Sequence, residues 1–156
     1  HGNLGLCVGP DDVYLAQRGL RTLGVRMRQH EKNGLEMANW FQSRPEVERV
    51  IHPALASDPG HEIWKRDFKG ACGLFAVELK PCPHKALAAM LDGLSLFGMG
   101  WSWGGYESLV VTAHPTRTAS KFEHSGPVLR FHIGLEDTLD LIADLEAGFA
   151  RLKKAS

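Results

Sequence analysis

No apolar run in these 156 residues approaches the roughly 18–20 residues of a membrane span. Neither sign of charge is in excess. Eighteen Lys and Arg balance eighteen Asp and Glu, for a formal net charge of +0 and a pI near 7.2. That balance lacks the electrostatic footprint of a nucleic-acid binder or an anionic-membrane binder. Cysteine is scarce: Cys7, Cys72 and Cys82 are too few and too scattered for a disulfide framework, and their odd number leaves one unpaired. Reduced thiols in a cytoplasmic protein are the expectation. Eight histidines invite a metal reading, yet no HxxxH or HExxH spacing occurs. His52 and His61 flank a Pro-rich loop with no Cys pair to join them, so no metal site is expected. There is no GxSxG elbow, no Walker loop and no GxGxxG. What is present is ordinary for a globular chain: 44% apolar and 23% charged residues, at a length that suits one compact domain.

Asp11 and Asp12 follow Pro10 and offer N-cap chemistry to a long helical pattern running to Gln42. Leu20, Leu23, Met27, Leu35, Ala38 and Phe41 recur in it at mostly helical spacings. Gly19 and Gly24 could each mark a break, so two consecutive helices are possible. Pro45 ends the element by pushing Arg44 away from helical angles. Val47–His52 reads as a strand, Pro59-Gly60 as a turn and His61–Lys65 as one short helical turn. Leu74–Leu79 is a strand. Pro83–Asp92 is a helix opened by proline, where a missing N–H costs nothing. Short strands are expected at Ser95–Phe97, Leu109–Thr112 and Val128–His132, with a long polar connection over 113–127. A final helix, Glu136–Lys153, carries the stripe Leu139, Ile142, Leu145, Phe149 and Leu152. Its acids suit the helix dipole.

The order of elements predicts an α+β layer: a small mixed or antiparallel sheet with helices covering one face. The wide polar face of the first helix makes it a connector or dimer arm rather than a core helix. Two places carry chemistry. Gly98–Gly105 brackets Trp101, Ser102 and Trp103 with glycines. It is either a packed hydrophobic corner or a pocket wall, in which glycines let backbone approach a ligand and Ser102 offers a donor and an acceptor. Arg130 lies mid-strand between Leu129 and Phe131 and so points away from their face. It is either a solvent-facing or ion-paired arginine or a guanidinium fork for a ligand carboxylate.

Four segments then stand out together: 18–26 (RGLRTLGVR), 60–68 (GHEIWKRDF), 102–109 (SWGGYESL) and 129–137 (LRFHIGLED). In this order, over nearly the whole chain, they resemble the Cys/Met-metabolism family of pyridoxal-phosphate enzymes, and within it the bacterial lyases that act on cystathionine. The resemblance implies the small C-terminal domain of a fold-type-I, aspartate-aminotransferase-like enzyme. Residues 1–19 would be a remnant of the large cofactor-binding domain, as the Gly-rich start His1–Pro10 also suggests, and residues 20–156 the substrate-side domain. The resemblance further implies that Arg130 grips the substrate α-carboxylate and that Ser102 and Trp103 line the pocket beside it. Trp103 favours β-elimination, since γ-acting members have Leu there. The implied reaction is cleavage of cystathionine to homocysteine, pyruvate and ammonia, in methionine biosynthesis. A γ-lyase, a γ-synthase or a general cysteine-S-conjugate lyase is the alternative within the family. A non-catalytic oligomerisation module is the alternative outside it.

One departure from the family pattern is large. The Ser-x-x-Lys that carries the Schiff-base lysine is missing, as are the phosphate-binding glycine loop and the groups that hold the pyridine ring. In the family these lie upstream of His1. No catalytic lysine and no cofactor-binding residue are therefore expected here. The 156-residue chain alone should be inactive, with pyridoxal phosphate serving only the full-length enzyme. The segment 113–127 is shorter than its family counterpart. The family implies a homotetramer, and apolar surface on the first helix and around Trp101 and Trp103 should make this chain self-associate.

Overall fold

The structure is a computed structural model that describes residues 3–5 and 7–156. The expected remnant at 1–19 includes residues 1, 2 and 6, which lie outside the described residues. The long N-terminal pattern forms two helices, α1 (Pro10–Arg21) and α2 (Leu23–Gln42). They part at Thr22, where ψ is 3°, between the two glycines that marked the candidate breaks. The Arg26 guanidinium donates to the Gly19 carbonyl at 2.8 Å and closes the end of α1.

These two helices behave differently. No residue of α1 is buried, whereas α2 buries His30, Asn33, Gly34, Met37, Ala38 and Phe41. The expectation of a helix that is not core fails for the second half of α2, while α1 contributes nothing to the core. Gly34 makes the close approach possible. A Cβ there would lie 2.8 Å from the Cys72 carbonyl oxygen and 3.1 Å from the Cα of Gly73.

Five strands follow in one sheet: β1 (Val47–Ile51), β2 (Leu74–Leu79), β3 (Gly98–Met99), β4 (Leu109–Ala113) and β5 (Val128–His132). The spatial order is β1-β2-β5-β4-β3, and only the β3–β4 pair is parallel. Three more helices complete the chain: α3 (His61–Asp67), α4 (His84–Leu91) and α5 (Thr138–Ala155). Helices α2, α4 and α5 cover one face of the sheet, and the expected α+β architecture is what forms.

Strand alternation sorts the residues. Phe75, Val77, Val110, Leu129 and Phe131 enter a single core with Phe41, Met90, Leu141, Leu145 and Phe149. Phe131 is its centre. Its ring lies 4.8 Å from Phe41 and meets Phe97 edge-on at 5.6 Å. Full burial of each such side chain stabilises by about 1.5–3 kcal/mol.

Three expectations are corrected. Ser95–Phe97 is not a strand, because the amides of Ser95 and Leu96 donate to the Asp144 carboxylate at 3.0 and 2.8 Å and are unavailable to a ladder. The strand forms just after, at Gly98–Met99. In α5, Leu139 is 69% exposed and Leu141 is fully buried, so the stripe is shifted. Glu136 lies outside α5. Asp137 is the N-cap and accepts from the Leu139 amide at 2.8 Å.

Candidate functional site

The uncovered face of the sheet is polar at two places. At its β1–β2 side, Glu78 is 2% exposed yet charged. Its carboxylate accepts from the Arg49 guanidinium at 2.7 Å, from the Ser125 amide at 2.6 Å and hydroxyl at 3.1 Å, and from the Gly126 amide at 3.4 Å. Burial pushes the carboxyl up, but these donors together outweigh it and hold it below the ordinary carboxylate value. The cluster ties the end of the 114–127 connection to the sheet.

The second place is on the central strand β5. Arg130 pairs in register with Ala76 on β2 and Val111 on β4. Neighbouring Leu129 and Phe131 face the core, so Arg130 rises from the open face. Its guanidinium donates to the Trp101 carbonyl at 2.7 Å and lies over the Trp101 ring at 5.5 Å. The arginine and the indole-and-hydroxyl corner thus share one side of the sheet. Ser102 follows Trp101 directly, but among the described residues no hydrogen bond joins its side chain to Arg130. Trp103 is 63% exposed and Trp101 73%. The corner is a wall, open to solvent, rather than a packed plug.

The loop that carries these residues is held at its far end. Ser108 is fully buried; its amide and hydroxyl donate to the Glu136 carboxylate at 2.7 and 2.8 Å, while its oxygen accepts the Gly134 amide at 2.9 Å. The Leu135 amide donates to the Tyr106 carbonyl at 2.8 Å. His132, two residues beyond Arg130, donates from Nε2 to the Gly105 carbonyl at 3.0 Å. Burial lowers its pKa first of all, with the nearby His30 and Arg130 acting the same way; the Gly105 bond and the Glu136 charge oppose them. Sequence reasoning singled out Arg130, Ser102 and Trp103 but missed His132, Ser108 and Glu136. For His132 the signal was available, since the alternation that places Arg130 on this face places His132 on it too, buried under the loop.

Chemically, the corner combines a planar guanidinium with free N–H donors, exposed indole surface and a serine hydroxyl. Such a set suits a small zwitterion or other carboxylate-bearing molecule, with the fork on the acid group. Among the described residues, no base is hydrogen-bonded to the Ser102 hydroxyl. Among the described residues, no group of three or more His, Cys, Asp or Glu could hold a metal ion.

A five-stranded mixed sheet with helices on one face defines a small α+β domain. The chain belongs to the Cys/Met metabolism PLP-dependent enzymes, whose family pattern matches residues 1–150. It is 51% identical over 155 residues to the cystathionine beta-lyase MetC of Escherichia coli K12, covering 96% of this chain and 39% of that protein. It is 49% identical over 155 residues to the cystathionine beta-lyase of Salmonella typhimurium LT2, with the same coverage. A crystal structure of cystathionine gamma synthase from Xanthomonas oryzae pv. oryzae in complex with cystathionine superposes with a TM-score of 0.83 at 36% identity. That match covers 99% of this chain and 41% of the other. The chain therefore spans about two-fifths of the length of these relatives.

The family depends on pyridoxal phosphate. The residues present here do not fit a cradle for it. A Schiff-base lysine needs an amine activated by desolvation or a close cationic neighbour, and every lysine of this chain is exposed. No catalytic step is assigned to these lysines.

Proposed function

We propose that this chain is the substrate-side domain of a pyridoxal-phosphate-dependent carbon–sulfur β-lyase that cleaves cystathionine to homocysteine, pyruvate and ammonia. One observation carries the reading: Arg130 stands on the open face of the central strand with its guanidinium on the Trp101 carbonyl and ring, directly before Ser102 and Trp103 in the loop. In this reading the fork holds the substrate α-carboxylate and thereby fixes the direction of the Cα–H bond that must be broken. Ser102 supplies a hydroxyl beside the carboxylate, and Trp103 walls the pocket. The names of the two bacterial relatives at about half identity support β-elimination over γ-chemistry, as does the indole at position 103.

Residues 1–19 belong with the larger, cofactor-holding part of the enzyme, and 20–156 form the domain itself. The absence of buried residues in α1 supports setting the first residues apart from the domain core. The chain alone is inactive. An arginine–carboxylate pair this exposed contributes about 1 kcal/mol or less, which leaves amino-acid binding at millimolar strength or weaker. The exposed apolar side chains of Val13, Tyr14 and Leu15 on α1 support self-association, in keeping with a cytoplasmic homo-oligomer.

The test is Arg130→Lys in the full-length enzyme. Lysine keeps the charge but loses the fork, so KM for cystathionine rises about tenfold or more. Unchanged kinetics would remove Arg130 from the site. For the isolated chain, an absorbance band of bound pyridoxal phosphate that survives dialysis would refute inactivity by lack of cofactor.

A further inference from the structure

Strand β5 delivers two polar side chains to the open face, at positions 130 and 132. The ring of His132 is 3% exposed. It touches the backbone of the loop just after Ser102 and Trp103 at two points. Nε2 donates to the Gly105 carbonyl at 3.0 Å. The Gly104 amide points at the same ring edge, 3.2 Å from Nε2 and 3.4 Å from Nδ1. With the Nε2 proton committed to Gly105, only the Nδ1 lone pair of a neutral ring can receive that amide. An imidazolium would set N–H against N–H. Gly104 itself has φ +88°, a conformation that side chains other than glycine adopt only under strain. Glycine adopts it freely, and neither Gly104 nor Gly105 is crowded by neighbours, so the register of the loop depends on contacts such as those from His132.

The charged and titratable groups facing this ring come from three directions. His30 on α2 lies 5.3 Å away between ring centroids and donates from Nδ1 to the Ile133 carbonyl at 2.8 Å. Arg130 is on the same strand, and Glu136 lies beyond its end. The His30 bond ties α2 to the turn after β5, so His132 sits between a core helix and the loop.

We propose that His132 is a positioning residue: in its neutral form it holds the Gly104–Gly105 backbone and so keeps Ser102 and Trp103 in register with the Arg130 guanidinium, a role that rests on the carboxylate reading of Arg130. No atom of His132 needs to touch substrate. Its effect is on the affinity of the pocket, not on bond breaking.

The experiment uses the full-length holoenzyme with cystathionine as substrate, in wild type, His132→Ala and His132→Gln. Glutamine carries one donor and one acceptor, as neutral imidazole does, but never protonates. In His132→Ala, KM rises about tenfold with kcat within about threefold, and the Gly104 amide exchanges with deuterium at least about tenfold faster. His132→Gln restores both. Burial holds the His132 pKa below the ordinary imidazole value, so the neutral ring persists under 6.5 and wild-type KM rises only as pH falls through that lowered value, while KM of His132→Gln does not share this rise. Unaltered exchange in His132→Ala overturns the anchor. Faster exchange with unaltered KM overturns the positioning role. If His132→Ala does not fold, the pH comparison of wild type with His132→Gln decides alone, and parallel profiles overturn the proposal. The exchange measurement needs no substrate. If Arg130→Lys leaves KM unchanged while His132→Ala still accelerates exchange, the carboxylate reading has failed and the anchor has not.

Discussion

The two faces of the sheet are built from the same five strands and could hardly differ more. On the covered face, Phe75, Val77, Leu129 and Phe131 disappear into a core sealed by three helices. On the open face, Glu78, Arg130 and His132 each hold a loop by its backbone. Strand β5 shows the division in five residues: Leu129 and Phe131 go one way, Arg130 and His132 the other. One face holds the fold together by area, which is non-directional and tolerant. The other places loops by hydrogen bonds, which are directional and fail when one atom is wrong.

This contrast can be broken at several points. The largest effect is expected from Phe131→Ala, which removes the ring at the centre of the core and should cost about 3–5 kcal/mol in a urea titration. Leu141→Ala should cost about 2–5 kcal/mol, while Leu139→Ala, two residues away and exposed, should stay within about 0.5 kcal/mol. Equal losses at 139 and 141 would contradict the face assignment of α5. Gly34→Ala should destabilise by about 1–3 kcal/mol, because its methyl meets backbone rather than a movable side chain.

Glu78→Gln acts on the open face and should cost about 1–3 kcal/mol by weakening four donated bonds. Its signature lies in pH. The folded-state pKa of Glu78 is below its ordinary value, so its contribution is full above that value and is lost as pH falls through the lowered one. Wild type should therefore lose more stability than Glu78→Gln between neutral and acid pH. Unfolding titrations at several pH values check this, and identical slopes would deny Glu78 its role.

Much of this arrangement was legible from local pattern. The strands Leu74–Leu79 and Val128–His132 emerge where alternation put them, and the outward direction of Arg130 follows from its two apolar neighbours. What escaped was set by partners far along the chain. Ser95 and Leu96 look like a strand until Asp144, some fifty residues on, takes their amides. Glu136 looks like a helix-opening acid until Ser108 claims it. The choice of Leu141 over Leu139 depends on how α5 rolls against α4, which periodicity alone does not determine. The loop at 100–107 was read from its tryptophans and glycines, but the histidine that holds it belongs to another element.

Helix α1 has twelve residues and buries none of them. A stretch that short is marginal in water unless another surface stabilises it. Its coil-to-helix balance is thus hostage to whatever lies against Val13, Tyr14 and Leu15, and the far-ultraviolet ellipticity of the chain becomes a gauge of docking, rising with concentration as neighbours are found.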